Sequence, residues 1–225
     1  MIMLNQTGSN NLILIFITFL ELLLLAIPII FFYFFKKQSP FSQLKSMGFD
    51  RSQYNFKRVL ICIFEGTFIA ILFCLLASWL IYSSIIVVSY VFGDAFVQNA
   101  INNTINVEPT RATPLELTVF VMLQFLIVAP CEEGFFRGFL FKKLKNKLNF
   151  VFSLLLSSTI FAFYHIPPFI VPVSTITFYF GYFFTFGILL TFLYSLNRGL
   201  LLPCIIAHAI FNTIVLITWI KLSKK

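Results

Sequence analysis

Long apolar segments recur along this chain of 225 residues and strongly limit what it can fold into. Hydrophobic residues make up 60% of the sequence and charged residues 11%, which is about half the charged share of soluble domains. A helix needs about 20 apolar residues to cross a bilayer. Segments of this kind lie at about 11–35, 59–92, 115–141, 149–165, 170–195 and 200–220. We therefore predict an all-α polytopic membrane protein with about six transmembrane helices.

The composition divides the chain into three parts. Residues 1–114 are expected to form an N-terminal region of two spans with a basic inner loop and a polar outer loop. Residues 115–220 form the predicted helical core, and 221–225 form a basic tail. The second span, 59–92, has 34 residues, so it must tilt, extend beyond the bilayer or contain a break.

The basic residues explain the net charge of +8 without a nucleic-acid partner, because they lie in short loops between apolar segments. Loops rich in Lys and Arg tend to remain cytoplasmic. With the N-terminus outside, the inner loops carry eleven Lys or Arg residues and the outer segments carry four. We therefore expect a lipid bilayer and no nucleic acid as partner. All four cysteines lie in apolar segments and are expected to be small buried hydrophobic residues.

One short motif, Pro130-Cys-Glu-Glu-Gly-Phe-Phe-Arg137, places three ionisable side chains inside an apolar segment. A charge in a bilayer span costs about 2.5–3.5 kcal/mol on insertion scales, so it usually marks a functional site. In a helix, Glu133 and Arg137 are four residues apart and can pair, whereas Glu132 points about 100° away. One carboxylate is then neutralised locally, and the other is free to face a cavity.

Both histidines of the chain, His165 and His208, also lie within apolar segments. At about 1.5 Å per residue, Glu132 and His208 lie about 15 Å from the inner ends of their helices, and His165 about 25 Å. Asn212 follows His208 by four residues and shares its face. These side chains are therefore expected to meet near the middle of the membrane in a polar cavity.

The groups expected to meet there are those that hydrolysis requires. A carboxylate can act as general base toward a water molecule, and a histidine can share or shuttle the proton. A second histidine and an amide can donate hydrogen bonds to a developing oxyanion.

Three motifs resemble, in order and spacing, those of the CPBP family of intramembrane proteases. They are Glu132-Glu133-x-x-x-Arg137, Phe161-x-x-x-His165 and His208-x-x-x-Asn212, and the resemblance covers about 115–215. That family comprises type II CAAX prenyl endopeptidases, bacteriocin-processing enzymes and Abi-type bacteriocin-immunity proteins. The resemblance implies an intramembrane endopeptidase whose helices form a cavity open toward the cytosolic side.

The resemblance also implies roles for the motif residues. Glu132 and His165 would activate the water, His208 and Asn212 would form the oxyanion hole, and Glu133 and Arg137 would support them. The family has been described both as metalloprotease-like and as a metal-free glutamate protease. We favour no cofactor, but a divalent metal such as zinc would be held by Glu132, His165 and His208, since zinc sites typically use three protein ligands and a water.

We therefore predict a multi-pass integral membrane endopeptidase that cleaves a membrane-delivered polypeptide. Its substrate would be a prenylated CAAX-type C-terminus or a hydrophobic leader peptide. One alternative is a non-catalytic bacteriocin-immunity or scaffold membrane protein that binds its partner at the same site. Another is a proton-coupled transporter, which the lack of an inverted repeat and of paired broken helices disfavours.

Overall fold

The computed structural model describes residues 11–104, 109 and 111–222, and within these ranges the chain is helical, with no strand. Among the described residues, four helices are long and apolar enough to cross a membrane: Phe56–Phe92, Pro114–Lys145, Val173–Leu196 and Leu202–Ile220. Two shorter apolar helices, Leu22–Lys36 and Phe150–His165, correspond to the first and fourth predicted segments. The predicted all-α polytopic fold is confirmed, and the protein is an integral membrane protein.

Most of the predicted basic tail, at 223–225, lies outside the described residues. The helices are numbered in chain order. They are α1 (Asn11–Phe19), α2 (Leu22–Lys36), α3 (Pro40–Met47), α4 (Phe56–Phe92), α5 (Asp94–Asn102), α6 (Pro114–Lys145), α7 (Phe150–His165), α8 (Val173–Leu196) and α9 (Leu202–Leu222).

The first apolar segment forms two helices and not the single one predicted. The chain turns at Leu20 and Glu21, between α1 and α2. There the backbone N–H groups of Glu21 and Leu23 donate to carbonyls three residues earlier, those of Thr18 and Leu20. This tighter pattern ends α1 and places the carboxylate of Glu21 at a bend.

Helix α4 is continuous over 37 residues, so the break allowed by its length is absent. At 1.5 Å per residue it is about 55 Å long, well beyond the ~30 Å of a hydrocarbon core. It must therefore tilt or extend beyond the membrane. Asn55 caps its start by accepting a hydrogen bond from the N–H of Arg58, and Gly66 lies where α9 packs closely against α4. An added Cβ there would lie 2.6 Å from the carbonyl oxygen of Pro203.

Helix α6 carries the acidic motif and contains two wider, π-helical stretches, Gln124–Val128 and Gly134–Phe141. Pro130 explains the first of these π-helical stretches. Proline has no N–H to donate, and in a regular α-helix its ring would collide with the carbonyl four residues earlier, that of Leu126. A wider turn ahead of the proline relieves both problems, and such stretches often accompany functional sites.

The main hydrophobic core lies where α4, α6, α7, α8 and α9 meet. Phe73 of α4 stacks on Phe186 of α8, with ring centroids 4.4 Å apart, and contacts Phe211 of α9 at 4.9 Å. On another face of α6, Gly134 and Gly138 allow close approach by α2 and by the end of α3. The four cysteines are unpaired. The core thus fixes the three helices that carry the acidic motif and both histidines.

Candidate active site

Glu132 and Glu133 lie in a short α-helical stretch, Ala129–Glu133, between the two π-helical stretches of α6. Both are buried, with 4% and 0% of their surface exposed. As adjacent residues they point in different directions. Each carboxylate therefore has its own set of partners.

Glu133 belongs to a fully buried charged cluster. Its Oε1 lies 2.8 Å from Nη1 of Arg137, which is the pairing that the four-residue spacing predicted. The same oxygen lies 2.7 Å from Nδ1 of His208 on α9. Arg137 also donates from Nη2 to the carbonyl of Gly187 at 3.3 Å, and its guanidinium lies 4.4 Å from the ring centre of Phe161. This cluster joins α6, α7, α8 and α9 around one ion pair.

Glu132 faces both histidines. Its Oε2 lies 3.5 Å from Nε2 of His165 and 3.9 Å from Nε2 of His208. Both distances exceed an ordinary hydrogen bond, and Oε2 has no hydrogen-bond partner within the described part of the chain. An acceptor left unpaired in the interior is costly, so it usually serves a purpose. Here it is available to a reacting group.

The other ring nitrogen of each histidine fixes its orientation. Nδ1 of His165 lies 3.0 Å from the carbonyl oxygen of Phe161, and the imidazole stacks on Phe183 at 4.8 Å. Nδ1 of His208 donates to Glu133. A partner on Nδ1 sets the ring orientation and leaves Nε2 for the site. Both Nε2 atoms consequently point toward Glu132.

Asn212 lies one turn after His208 on α9, but its partner is a residue that the sequence analysis did not identify. Its Nδ2 donates to Oε1 of Gln124 on α6 at 2.9 Å. An amide nitrogen carries two hydrogens, so one remains available for another acceptor. One feature of the sequence could have identified Gln124 as a site residue: it is an amide within the same apolar segment as Glu132.

A third carboxylate, Glu21, lies beside the site. The hydroxyl of Tyr164 lies 2.9 and 2.8 Å from its two carboxylate oxygens. Tyr164 immediately precedes His165 and packs its ring against that imidazole, with centroids 5.3 Å apart. The N-terminal region is thereby connected to the helix that carries His165.

Removing the hydroxyl of Tyr164 is expected to destabilise the protein. Tyr164→Phe should lower the free energy of unfolding by about 1–3 kcal/mol, because Glu21 then loses its donor in an apolar segment. The double variant Glu21→Leu/Tyr164→Phe should regain most of that loss, since it removes both polar groups. Denaturant-induced unfolding in detergent measures each variant. Tyr90→Phe, at a tyrosine 91% exposed, is the control and should change little. Additive effects of the two single changes would contradict the pairing.

Glu132, His165 and His208 carry oxygen and nitrogen donors of the kinds that zinc binds. Among the described residues, no group of three or more His, Cys, Asp or Glu side chains is arranged to hold one. Glu132 and the two histidines converge, and the second ring nitrogen of His208 is engaged by Glu133 and that of His165 by a backbone carbonyl. Such partners also orient histidines that bind metals, so this geometry is compatible with either a metal-free or a metal-dependent site.

The fold and the site together define an integral membrane protein that buries acid–base groups inside its helical core. Residues 114–214 match the family described as type II CAAX prenyl endopeptidase, Rce1-like. This match supports a CPBP-family intramembrane protease. The matched range is close to the 115–215 over which the sequence motifs resemble that family. No curated protein and no solved structure matches the chain.

Proposed function

We propose that this protein is an intramembrane endopeptidase that hydrolyses a peptide bond in a membrane-delivered polypeptide. The observation that carries the proposal is the buried Oε2 of Glu132, which has no hydrogen-bond partner among the described residues and lies within 3.9 Å of the Nε2 atoms of His165 and His208. The family match supports CAAX-type intramembrane endopeptidase activity in general. The mechanism and the substrate class are our proposals.

In the proposed reaction, Glu132 takes a proton from a water molecule that also contacts Nε2 of His165. The water oxygen attacks the carbonyl carbon of the substrate, and the C=O bond opens to a tetrahedral oxyanion. The captured proton then goes to the leaving amine, and the C–N bond breaks. Proximity of the base and the histidine, at 3.5 Å, supports this division of roles.

His208 and Asn212 would stabilise the oxyanion. In its protonated form, His208 donates from Nδ1 to Glu133 and from Nε2 to the developing negative charge. The charges of Arg137 and His208 then balance those of the two carboxylates, which lowers the cost of burying them. Gln124 holds Asn212 through one amide hydrogen, and the second hydrogen is the proposed donor to the oxyanion.

Two peptides test the proposal and distinguish its substrate classes. The purified 225-residue chain in detergent is given a farnesylated peptide ending in a CAAX motif and a leader peptide ending in a double glycine. Mass spectrometry then identifies the products. Cleavage of the farnesylated peptide is expected, since the matched family is of CAAX type. Cleavage of the leader peptide alone would change the substrate class. Cleavage of neither by folded protein would favour the non-catalytic immunity or scaffold role.

Activity is expected to survive removal of metal ions. Exhaustive chelation followed by dialysis should leave the cleavage rate unchanged, because Glu132 and the histidines perform the proton transfers without a metal. The rate before and after chelation, with and without added zinc, is the measurement. A loss of activity that zinc alone restores would instead assign Glu132, His165 and His208 as metal ligands.

A further inference from the structure

A second polar site lies away from Glu132, where the basic end of α6 meets α2 and α3. A cavity of about 190 Å³ opens there. Its polar lining comes from both the N-terminal region and the family-matched segment: Gln38, Gln43, Ser46, Lys142, Lys143 and Asn146. The rings of Phe32 and Phe139 complete the wall. The cavity therefore combines cations and amides with an apolar side.

Neither cavity lysine is neutralised by a carboxylate within the described part of the chain. Nζ of Lys142 donates to the backbone carbonyl of Ser46 at 2.6 Å. Nζ of Lys143 lies 4.1 Å from the ring centre of Phe32 and 5.2 Å from that of Phe139. An aromatic ring attracts an ammonium group but does not cancel its charge. Two positive charges therefore remain without an anion.

The acidic residue of the neighbouring loop, Asp50, does not fill that role. Hydrogen bonds from Ser52 lower the pKa of Asp50 to about 2, so this carboxylate is ionised at neutral pH. It lies 3.4 Å from Nζ of Lys45, a lysine that does not line the cavity. The charge of Asp50 is thus engaged by Lys45.

The amides of the cavity supply unused donors. Gln43 is only 4% exposed, and its Oε1 accepts from the hydroxyl of Ser46, yet its side-chain NH₂ has no acceptor in the described residues. The side chains of Gln38 and Asn146 also form no hydrogen bond there. Gln38 is half-buried and Asn146 is exposed, so these donors open onto the cavity. They match a ligand that offers several oxygen acceptors.

We propose that this cavity binds the phosphate headgroup of an anionic phospholipid from the leaflet next to the basic loops. Phe31, Phe34 and Phe35 are exposed at the end of α2, immediately before Lys36, as expected where a span leaves the hydrocarbon. The cavity therefore lies at headgroup level. Basic pockets between transmembrane helices at this level bind anionic headgroups. Ammonium and amide N–H groups suit phosphate oxygens, since a charged acceptor strengthens each hydrogen bond.

Such a lipid would connect two parts of the chain. Gln38, Gln43 and Ser46 precede the family-matched range 114–214, whereas Lys142 and Lys143 lie within it. A bound headgroup therefore holds α2 and α3 against α6. A ligand that binds only the folded state stabilises that state. The bound lipid therefore raises the unfolding temperature of the protein.

The test uses the purified 225-residue chain in neutral, lipid-free detergent. Phosphatidylglycerol, phosphatidylcholine or inorganic phosphate is added at equal concentration, and binding is followed by native mass spectrometry and thermal unfolding. Phosphatidylglycerol is expected to bind and to raise the unfolding temperature, and the other two are not. Equal binding of phosphatidylcholine would overturn the anion site. Inorganic phosphate that binds and displaces phosphatidylglycerol would overturn the lipid as its ligand.

Matched variants separate this cavity from general surface charge. Lys142→Gln/Lys143→Gln is expected to weaken phosphatidylglycerol binding about tenfold or more, since each lysine near an anionic surface contributes substantially. Lys57→Gln/Lys147→Gln removes the same charge outside the cavity and should leave affinity almost unchanged. Equal losses in both variants would contradict the proposal. Gln43→Leu, which removes a donor without changing charge, is the second test if the lysine variant does not fold. Unchanged phosphatidylglycerol affinity of Gln43→Leu would also contradict the proposed site.

Discussion

Glu132→Gln is expected to lower the rate of peptide cleavage about 10²–10⁴-fold, the range that general-base catalysis contributes. Glutamine keeps the size of the side chain but cannot take a proton from water. Its amide can still face His165 and His208, so the fold should persist. The measurement is the initial cleavage rate of the purified variant, with thermal unfolding recorded on the same sample.

Glu65→Gln provides a matched control for this change. Glu65 is another carboxylate within an apolar helix, α4, and its Oε2 also lacks a hydrogen-bond partner in the described residues. It lies outside the proposed machinery, so the same chemical change there should leave the rate nearly unchanged. His165→Ala should cause a loss similar to that of Glu132→Gln. Full activity of both site variants would contradict the mechanism.

Arg137→Met is expected to cause the largest loss of stability, about 3–5 kcal/mol in the free energy of unfolding. Arg137 and Glu133 are both completely buried and lie 2.8 Å apart. Removing one partner of a buried ion pair leaves the other charge uncompensated, which accounts for an effect of about this size. Denaturant-induced unfolding in detergent measures it.

A second variant and a control define the cause of that loss. Glu133→Gln/Arg137→Met removes both charges and keeps an acceptor for Nδ1 of His208, so it should be more stable than Arg137→Met alone. Arg111→Met replaces an exposed arginine and should change the free energy of unfolding by no more than about 0.5 kcal/mol. A double variant less stable than Arg137→Met would show that charge compensation is not the reason.

The sequence was informative about this site because polar groups are so rare in its apolar segments. Insertion costs alone identified Glu132, Glu133 and Arg137, and helical spacing predicted the pairing of the last two. Estimated depth placed both histidines near the middle of the membrane with Glu132, and the structure places each Nε2 within 3.9 Å of Glu132. The catalytic roles of these residues stay predictions.

Other parts of the site depended on contacts that no local pattern contains. Gln124 and Asn212 are 88 positions apart, and Glu21 and Tyr164 are 143 positions apart. Pairings of this kind require the packing of whole helices, which a single sequence does not specify. The bend at Glu21 was missed for a related reason, because most of the surrounding residues are apolar and suit a helix equally well.

The distribution of charge in the site suggests why so many groups are needed to present one reactive carboxylate. Glu133 is held by Arg137 and His208, and these contacts also orient His208 toward Glu132. The phenyl rings of Phe161 and Phe186 surround the imidazole of His208, at 6.2 and 5.3 Å between ring centres. A rigid apolar enclosure of this kind strengthens electrostatic interactions inside it. Oε2 of Glu132, which has no hydrogen-bond partner among the described residues, faces both histidines within this enclosure.

The most direct test of the central claim follows the oxygen of the attacking water. Wild-type protein and Glu132→Gln are each incubated with the peptide that wild type cleaves, in water enriched in oxygen-18, and the products and the intact protein are weighed by mass spectrometry. The account predicts a single cut, one heavy oxygen in the new carboxyl group, an unchanged protein mass and almost no product from Glu132→Gln. An acyl adduct on the protein, or equal product from the variant, would contradict water activation by Glu132.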